Sequence, residues 1–270
     1  LIKSNWPKIV CKVENQGGLD NLEEIAKETD VIMIDRGDLS NETNLESVAI
    51  FQKRIIKVAT QYATPVIVAT EMLHTMLDNP FPTKAEVADI SNAVLDGASA
   101  VMLSGETAIG KYPQEAVRIM SNISETVMNS SIERKNSSLT SIPEALGKAI
   151  LGICNSLPIT KVVVLTVTGY AAKIVSAQKI RQPILAVSNN LFNARSFNLL
   201  SGTKGIYINI KFRRNSLDHV ADCLKYLWIK NEIVDSDLIL VTTVGYPYSG
   251  QRMNMIQTHS VKNIKELFGW

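Results

Sequence analysis

The chain has 270 residues, of which 46% are hydrophobic and 20% charged, with a formal net charge of +2. This length suits one large globular domain or two ordinary ones. The near-neutral balance gives no electrostatic pull toward DNA or a membrane surface, so neither nucleic acid nor membrane is expected as a partner.

Three cysteines, Cys11, Cys154 and Cys223, are far apart and form no CxxC pair, which argues against a zinc site or a disulfide framework. Cys11 and Cys154 sit among apolar residues and are expected to fill core. His74, His219 and His259 are equally scattered, so no histidine metal site is expected. The densest basic run, "KFRR" at 211–214, reads as a solvated loop. No apolar run approaches a membrane span and no signal peptide is read, so a cytoplasmic setting is expected. The chain starts at Leu1 rather than Met and is expected to be a piece of something longer.

The first half alternates apolar runs with helical patterns. "KIVCKV" (8–13) reads as a strand, and 18–28 as a helix with Leu19, Leu22, Ile25 and Ala26 on one face. "DVIMI" (30–34) is a strand, Leu45 to Tyr62 a helix, and "PVIVAT" (65–70) a strand. "EMLHTML" and 83–97 read as two helices, the second ending on Gly97. "SAVML" (99–103) is a fourth strand, and a long helix runs from Pro113 to about Ile132.

Short strands that are apolar on both faces and separated by helices are the pattern of a parallel sheet covered on both sides. An open doubly wound sheet and a (βα)8 barrel both satisfy it. Residues 133–143 are polar and Ser-rich and read as a linker. A second α/β pattern follows over 144–270, with strands "KVVVLTV", "PILAVS", "GIYINI", "DLILVTT" and "MNMIQTH". The last two are expected to be antiparallel across the turn at 245–250, and "VKNIKELFGW" is left as a tail.

In both candidate folds chemistry sits at the C-terminal ends of the strands. Lys12 and Glu14 end the first strand, Arg36, Gly37 and Asp38 the second, Thr70 and Glu71 the third, and Ser104, Gly105, Glu106 and Thr107 the fourth. Arg36-Gly37-Asp38 admits three readings: an adhesion tripeptide, an ordinary polar turn, or an active-site rim. The tripeptide abuts a buried strand, which disfavours the first. Taken singly, each polar residue here reads best as a cap or a strand end. Four strand ends in a row with complementary chemistry favour a site. Glu14 and Asp38 are hard oxygen ligands suited to Mg²⁺ or Mn²⁺. Lys12, two residues from Glu14, points to the same side of its strand and can offset charge on a transferred phosphoryl group. Gly37 leaves room for a substrate carboxylate at a helix start.

"KVENQGGLDNLEEI", "IMIDRGDLSNE", "PVIVATEMLHTM" and the long run from Pro82 to Val117 together resemble the pyruvate kinase family. The resemblance is strong over residues 8 to about 130 and weaker over 143–259. It implies the second half of a catalytic (β/α)8 barrel over residues 1–132, followed by that family's C-terminal regulatory α/β domain over 144–270, with a mostly parallel five-stranded sheet. It also implies phosphoryl transfer between phosphoenolpyruvate and ADP, giving pyruvate and ATP in glycolysis.

Carried over position by position, Lys12, Thr70 and Ser104 would be catalytic. Lys12, Gly37, Asp38 and Thr70 would bind substrate, while Glu14 and Asp38 would hold Mg²⁺ or Mn²⁺. Ser104 and Glu106 would serve the proton relay to the enolate carbon, and Arg36 would brace its loop through ion pairs. A K⁺ ion is possible, though its family ligands fall outside this segment. A homo-oligomer, by resemblance a tetramer, is expected. Position 35 is Asp where the family usually has Ala, and position 71 is Glu where a neutral residue is usual. Such carboxylates beside an anionic substrate must bind cation or turn away.

Two other readings remain: a metal-dependent lyase or aldolase acting on pyruvate enolate, and a non-catalytic regulatory module. By the resemblance, Thr166, Thr168 and Gly169 stand in the loop that in many relatives cradles a sugar phosphate, and an ordinary strand-to-helix turn is the favoured reading here. Val167 and Tyr170 stand where its basic residues would be, so no activation by fructose 1,6-bisphosphate is expected.

Overall fold

The computed structural model of the chain describes residues 7–130, 142–212, 216–244 and 253–270. The chain divides into two compact units, one running from Lys8 to Asn136 and the other from Ser137 to Trp270. Most of the expected linker, Arg213 and Arg214, and the turn at 245–250 lie outside the described residues.

The first unit runs β1 (Val10–Val13), α1 (Gln16–Asp20), α2 (Leu22–Glu28), β2 (Val31–Asp35), α3 (Arg36–Glu42), a 3-10 turn at Leu45–Ser47, and α4 (Val48–Gln61). It continues with β3 (Val66–Ala69), a 3-10 turn at His74–Leu77, α5 (Lys84–Asp96), β4 (Ala100–Val101), α6 (Gly105–Ala108) and α7 (Pro113–Met128). The strands pair in the order β1-β2-β3-β4, all parallel. Lys12 lies opposite Met33, and Asp35 opposite Ala69. Parallel pairing in this register brings every C-terminal strand end to one edge of the sheet.

Every residue of β3 is buried, so both of its faces are covered. Ile32, Ile34, Val66 and Val68 of the strands share a core with Leu19, Leu22, Ile55 and Ile56 of the helices. Burying each such side chain stabilises by about 1.5–3 kcal/mol. Among the described residues the sheet is open: β1 and β4 each have a strand on one side only. Beside the β1 edge, Ile9 and Val10 are 48% and 39% exposed.

Several elements depart from the sequence pattern for local reasons. The helix expected over 18–28 is two helices. The Asn15 side chain caps the first by accepting from Gly18 N at 2.9 Å, and Asn21 Nδ2 closes it by donating to Gly17 O at 2.9 Å. "EMLHTML" yields only a 3-10 turn, because Thr70 (φ 69) and Glu71 (φ 53) are both left-handed and turn the chain away. By contrast, α5 starts on a Thr83/Glu86 capping box and stops at left-handed Gly97 (φ 108), as its sequence indicates. The short helix α3 was not resolved by periodicity.

The second unit runs α8 (Ile142–Ser156), β5 (Lys161–Leu165), α9 (Tyr170–Ala177), β6 (Ile184–Ser188), α10 (Leu191–Ser196), a 3-10 turn at Phe197–Leu199, and β7 (Thr203–Tyr207). It ends with α11 (Asp218–Ile229), β8 (Leu238–Thr243), β9 (Met255–Ser260) and α12 (Val261–Phe268). The sheet order is β7-β6-β5-β8-β9, and β9 is antiparallel to β8. The other pairs are parallel, as expected.

β7 starts two residues earlier than "GIYINI", because Thr203 already pairs with Ile184 and β6 runs out at Ser188 opposite Tyr207. The supposed tail is the helix α12, which buries Val261 and Ile264 one turn apart. Cys154 and Cys223 fill core, and burial pushes their thiols up to about 11 and about 12. Cys11 is only half-buried on the edge strand. Among the described residues no helix is long and apolar enough to cross a membrane.

Candidate active site

At the C-terminal edge of the first sheet, Lys12 stands among three carboxylates. Its Nζ lies 2.6 Å from Glu14 Oε2, 2.9 Å from Asp35 Oδ2 and 3.4 Å from Asp38 Oδ2. The Asp38 contact is a hydrogen bond. The Glu14 contact is the shortest, and the ammonium is what compensates this buried oxygen. The Glu14 and Asp35 carboxylates hold the lysine well above its ordinary pKa, against a smaller opposing effect of burial. Lys12 is therefore an ammonium across the physiological range.

Strand geometry explains the convergence. Lys12 and Glu14 are two residues apart at the end of β1, and adjacent strands are about 4.8 Å apart. Asp35 closes β2 and Asp38 lies in the first turn of α3. One oxygen from each of Glu14, Asp35 and Asp38 lies within 4.8 Å of the others. Carboxylate oxygens of this kind suit a hard divalent cation, though here the Lys12 ammonium pairs with them.

The β3 end is wired to the β2 end by Arg36. Its Nη1 contacts Asp89 Oδ1 and Oδ2 at 2.8 and 2.6 Å, and its Nη2 donates to Thr70 O at 2.7 Å. This is the ion-pair bracing expected of Arg36. It holds Thr70, a β-branched residue at φ 69, in a region that costs about 1–3 kcal/mol. Thr70 Oγ1 accepts from Gly37 N at 2.9 Å and contacts Ala69 O at 2.6 Å. Two donors expected for a substrate carboxylate are thus engaged with loop partners. A Cβ at Gly37 would make only ordinary contacts, 3.6 Å from Asp35 Oδ1 and 3.8 Å from Thr70 Oγ1, so these neighbours do not require a glycine there.

At the β4 end Ser104 is tied in through Glu106. The Glu106 carboxylate is 3% exposed and accepts from Ser104 N and Leu73 N, each at 2.9 Å. It staples the loops after β3 and β4 together. The two extra acids part ways: Asp35 turns into the site, whereas Glu71 is exposed. Sequence reasoning did not foresee Asp35 as a partner of Lys12, nor Asp89 as the anchor of Arg36. No local signal links Arg36 to a residue 53 positions away.

In the second unit the Thr166 hydroxyl accepts from Gly169 N at 3.0 Å. Gly169 is left-handed (φ 90), and a Cβ there would meet the Phe197 ring at 2.5 Å. The loop is thus braced internally, with Val167 46% exposed beside it.

A parallel βα sheet with a lysine and carboxylates gathered at its C-terminal strand ends is the arrangement of part of a (βα)8 barrel with a polar site at that edge. The family description "Pyruvate kinase, barrel domain" matches residues 3–117, and "Pyruvate kinase, alpha/beta domain" matches residues 144–259. A pyruvate kinase of Borreliella burgdorferi is 37% identical over 87% of this chain and 50% of its own length. One from Methanocaldococcus jannaschii is 32% identical over 94% of this chain and 56% of its own. The crystal structure of a pyruvate kinase from Cryptosporidium parvum superposes with a TM-score of 0.79 at 30% identity, covering 94% of this chain and 51% of that one. The chain belongs to the pyruvate kinase family, and it spans about half the length of these relatives.

Proposed function

We propose that this chain contributes the phosphoryl-transfer edge of a glycolytic pyruvate kinase, acting between phosphoenolpyruvate and ADP to give pyruvate and ATP. The observation that carries the reading is the convergence of Lys12, Glu14 and Asp38, with Thr70 joined to the same edge through Gly37. Glu14 and Asp38 would hold Mg²⁺ or Mn²⁺, which when bound supplies positive charge to the substrate's oxygens.

In the forward direction the bond between phosphorus and the enolate oxygen breaks as one forms to the terminal oxygen of ADP. Lys12, permanently charged, stabilises the negative charge on the phosphoryl group in flight. The substrate carboxylate takes the Thr70 hydroxyl and the Gly37 and Asp38 amides, for which the Gly37–Thr70 bond opens and the hydroxyl turns away from Ala69 O. Protonation of the enolate carbon then gives pyruvate, with Ser104 in the proton relay. Glu106 is a positioning residue, since both its oxygens already accept backbone amides. Nucleotide and K⁺ contacts belong to the barrel half that relatives carry. A cytoplasmic homotetramer is the assembly the family suggests.

The test is pyruvate formation from phosphoenolpyruvate and ADP, by the chain alone and joined to the N-terminal barrel half of a relative. Metal-dependent turnover that is absent in Lys12→Met supports the proposal. Pyruvate release from a larger keto acid, without phosphoryl transfer, would replace it with the lyase reading.

A further inference from the structure

We propose that Asp35 is a specificity-determining residue of this edge: its carboxylate competes with an anionic substrate for the Lys12 ammonium, and so weakens the binding of a phosphorylated carboxylate more than that of a simple one. The inference rests on the reading of this edge as a phosphoryl-transfer site and adds a residue that sets its substrate affinity.

Three observations support it. First, Asp35 Oδ2 lies 2.9 Å from Lys12 Nζ, and the Asp35 side chain is 15% exposed where that of Lys12 is 44% exposed. The pair is anchored from the protein side, and the lysine keeps an open face toward an arriving anion. Second, Asp35 closes β2 at the N-cap position of α3 yet makes no side-chain cap bond, although Asp is among the best capping residues. Its carboxylate is committed to the site instead of to the helix. Third, its other oxygen stands near Gly37, 3.6 Å from where a Cβ would be, and Gly37 N donates to Thr70 Oγ1 at 2.9 Å. One carboxylate of the chain thus lies beside both the ammonium and the donors that the anionic groups of a substrate need.

The competition sharpens once the site is loaded. On the proposed function Glu14 and Asp38 pass to the divalent cation, which leaves Asp35 as the remaining one of the three acids that face Lys12. An arriving phosphoryl group must then share the ammonium with Asp35 or take it away. Sharing places two negative groups against one positive charge. Taking it away leaves a largely buried carboxylate without its counter-ion, which is costly. The penalty from sharing grows with the negative charge that the ligand brings.

The experiment is a calorimetric titration of the 270-residue chain, in saturating Mg²⁺, with phosphoenolpyruvate and separately with pyruvate. Asp35→Asn keeps the size of the side chain and removes its charge, and Asp35→Ala removes the group. Both should bind phosphoenolpyruvate about tenfold more tightly than the parent. The gain for pyruvate, which lacks the phosphoryl charge, should be no more than about threefold. Glu71→Gln, which neutralises the exposed acid after β3, should leave both affinities within about twofold of the parent.

If the parent binds phosphoenolpyruvate and both Asp35 variants bind it no more tightly, Asp35 is not a competitor and only this inference fails. If pyruvate gains as much as phosphoenolpyruvate, the substitution has reshaped the site rather than relieved a charge, and the inference is overturned. An equal gain from Glu71→Gln would assign the effect to surface charge at large and overturn it too. If neither the parent nor any variant binds phosphoenolpyruvate, the phosphoryl-transfer reading of this edge falls and takes the inference with it.

Discussion

The two sheets of this chain obey the same rules of construction and differ in what they place at their C-terminal edge. In the first unit the strand ends carry Lys12, Glu14, Asp35 and Asp38, whose charged groups face one another. In the second unit the corresponding positions carry hydroxyls spent on backbone. Thr166 accepts from Gly169 N, Ser188 contacts Val167 O at 3.3 Å and accepts from Asn190 N at 3.1 Å, and Thr242 donates to Met255 O at 2.8 Å. The contrast shows that a parallel strand end is an opportunity for chemistry rather than chemistry itself. What decides is whether charged side chains gather there or the polar groups are spent on their own backbone.

Four changes would break or sharpen that contrast. The largest effect is expected from Lys12→Met. Turnover of the chain joined to a relative's barrel half should fall about a thousandfold, because the ammonium acts on charge that develops in the transition state. Substrate-free Mn²⁺ binding should be unharmed or tighter, which calorimetry would read. Next, Glu14→Gln should cost Mn²⁺ affinity by about 1.5–3 kcal/mol, or roughly ten- to a hundredfold, with the fold intact by circular dichroism. No matching loss is expected from altering Thr166 or Ser188.

Charge in the second unit is structural. Burial alone would raise the Asp237 carboxyl, but Lys161 at 2.6 Å, the Val234 amide and Thr160 together hold it below its ordinary range. A carboxyl depressed by folding adds stability above its unfolded value near 3.8, and that stability is lost as pH falls further through the folded value. Asp237→Asn should thus destabilise the chain by about 2 kcal/mol at pH 7, and the difference should shrink below about pH 4 in denaturant titrations. Smallest is Thr166→Ala, which leaves Gly169 N without its acceptor and should cost about 1 kcal/mol. The same loop should give no calorimetric heat with fructose 1,6-bisphosphate. Micromolar binding there would show that the second edge does hold a ligand and would undo the contrast.

Much of this was legible in the residues. Apolar runs such as "VIVA" announce strands covered on both faces, and the polar residues that stop them mark the edge where a site can form. The Lys12/Glu14 spacing of two already places both side chains on one side of a strand. The signal for α12 was present too, in Val261 and Ile264 three apart, although its charged neighbours made it look like a tail. Other features depend on tertiary geometry. The turning of Asp35 away from its capping role is a rotamer choice set by Lys12 from another strand. The left-handed Thr70 is held by Arg36, itself anchored on α5 by Asp89, and no short stretch of sequence carries that relation. Register in β7 follows from where β6 ends, not from the alternation of "GIYINI".

The central claim is that the first sheet's edge holds a divalent cation between Glu14 and Asp38. Anomalous diffraction from a crystal of the chain grown with Mn²⁺ tests it most directly. The account predicts a single strong peak at that edge, about 2.1–2.3 Å from one oxygen of each carboxylate, with the Lys12 ammonium moved off Glu14 Oε2. Saturating Mn²⁺ with no peak there, or with Lys12 still lodged between the carboxylates, would contradict it.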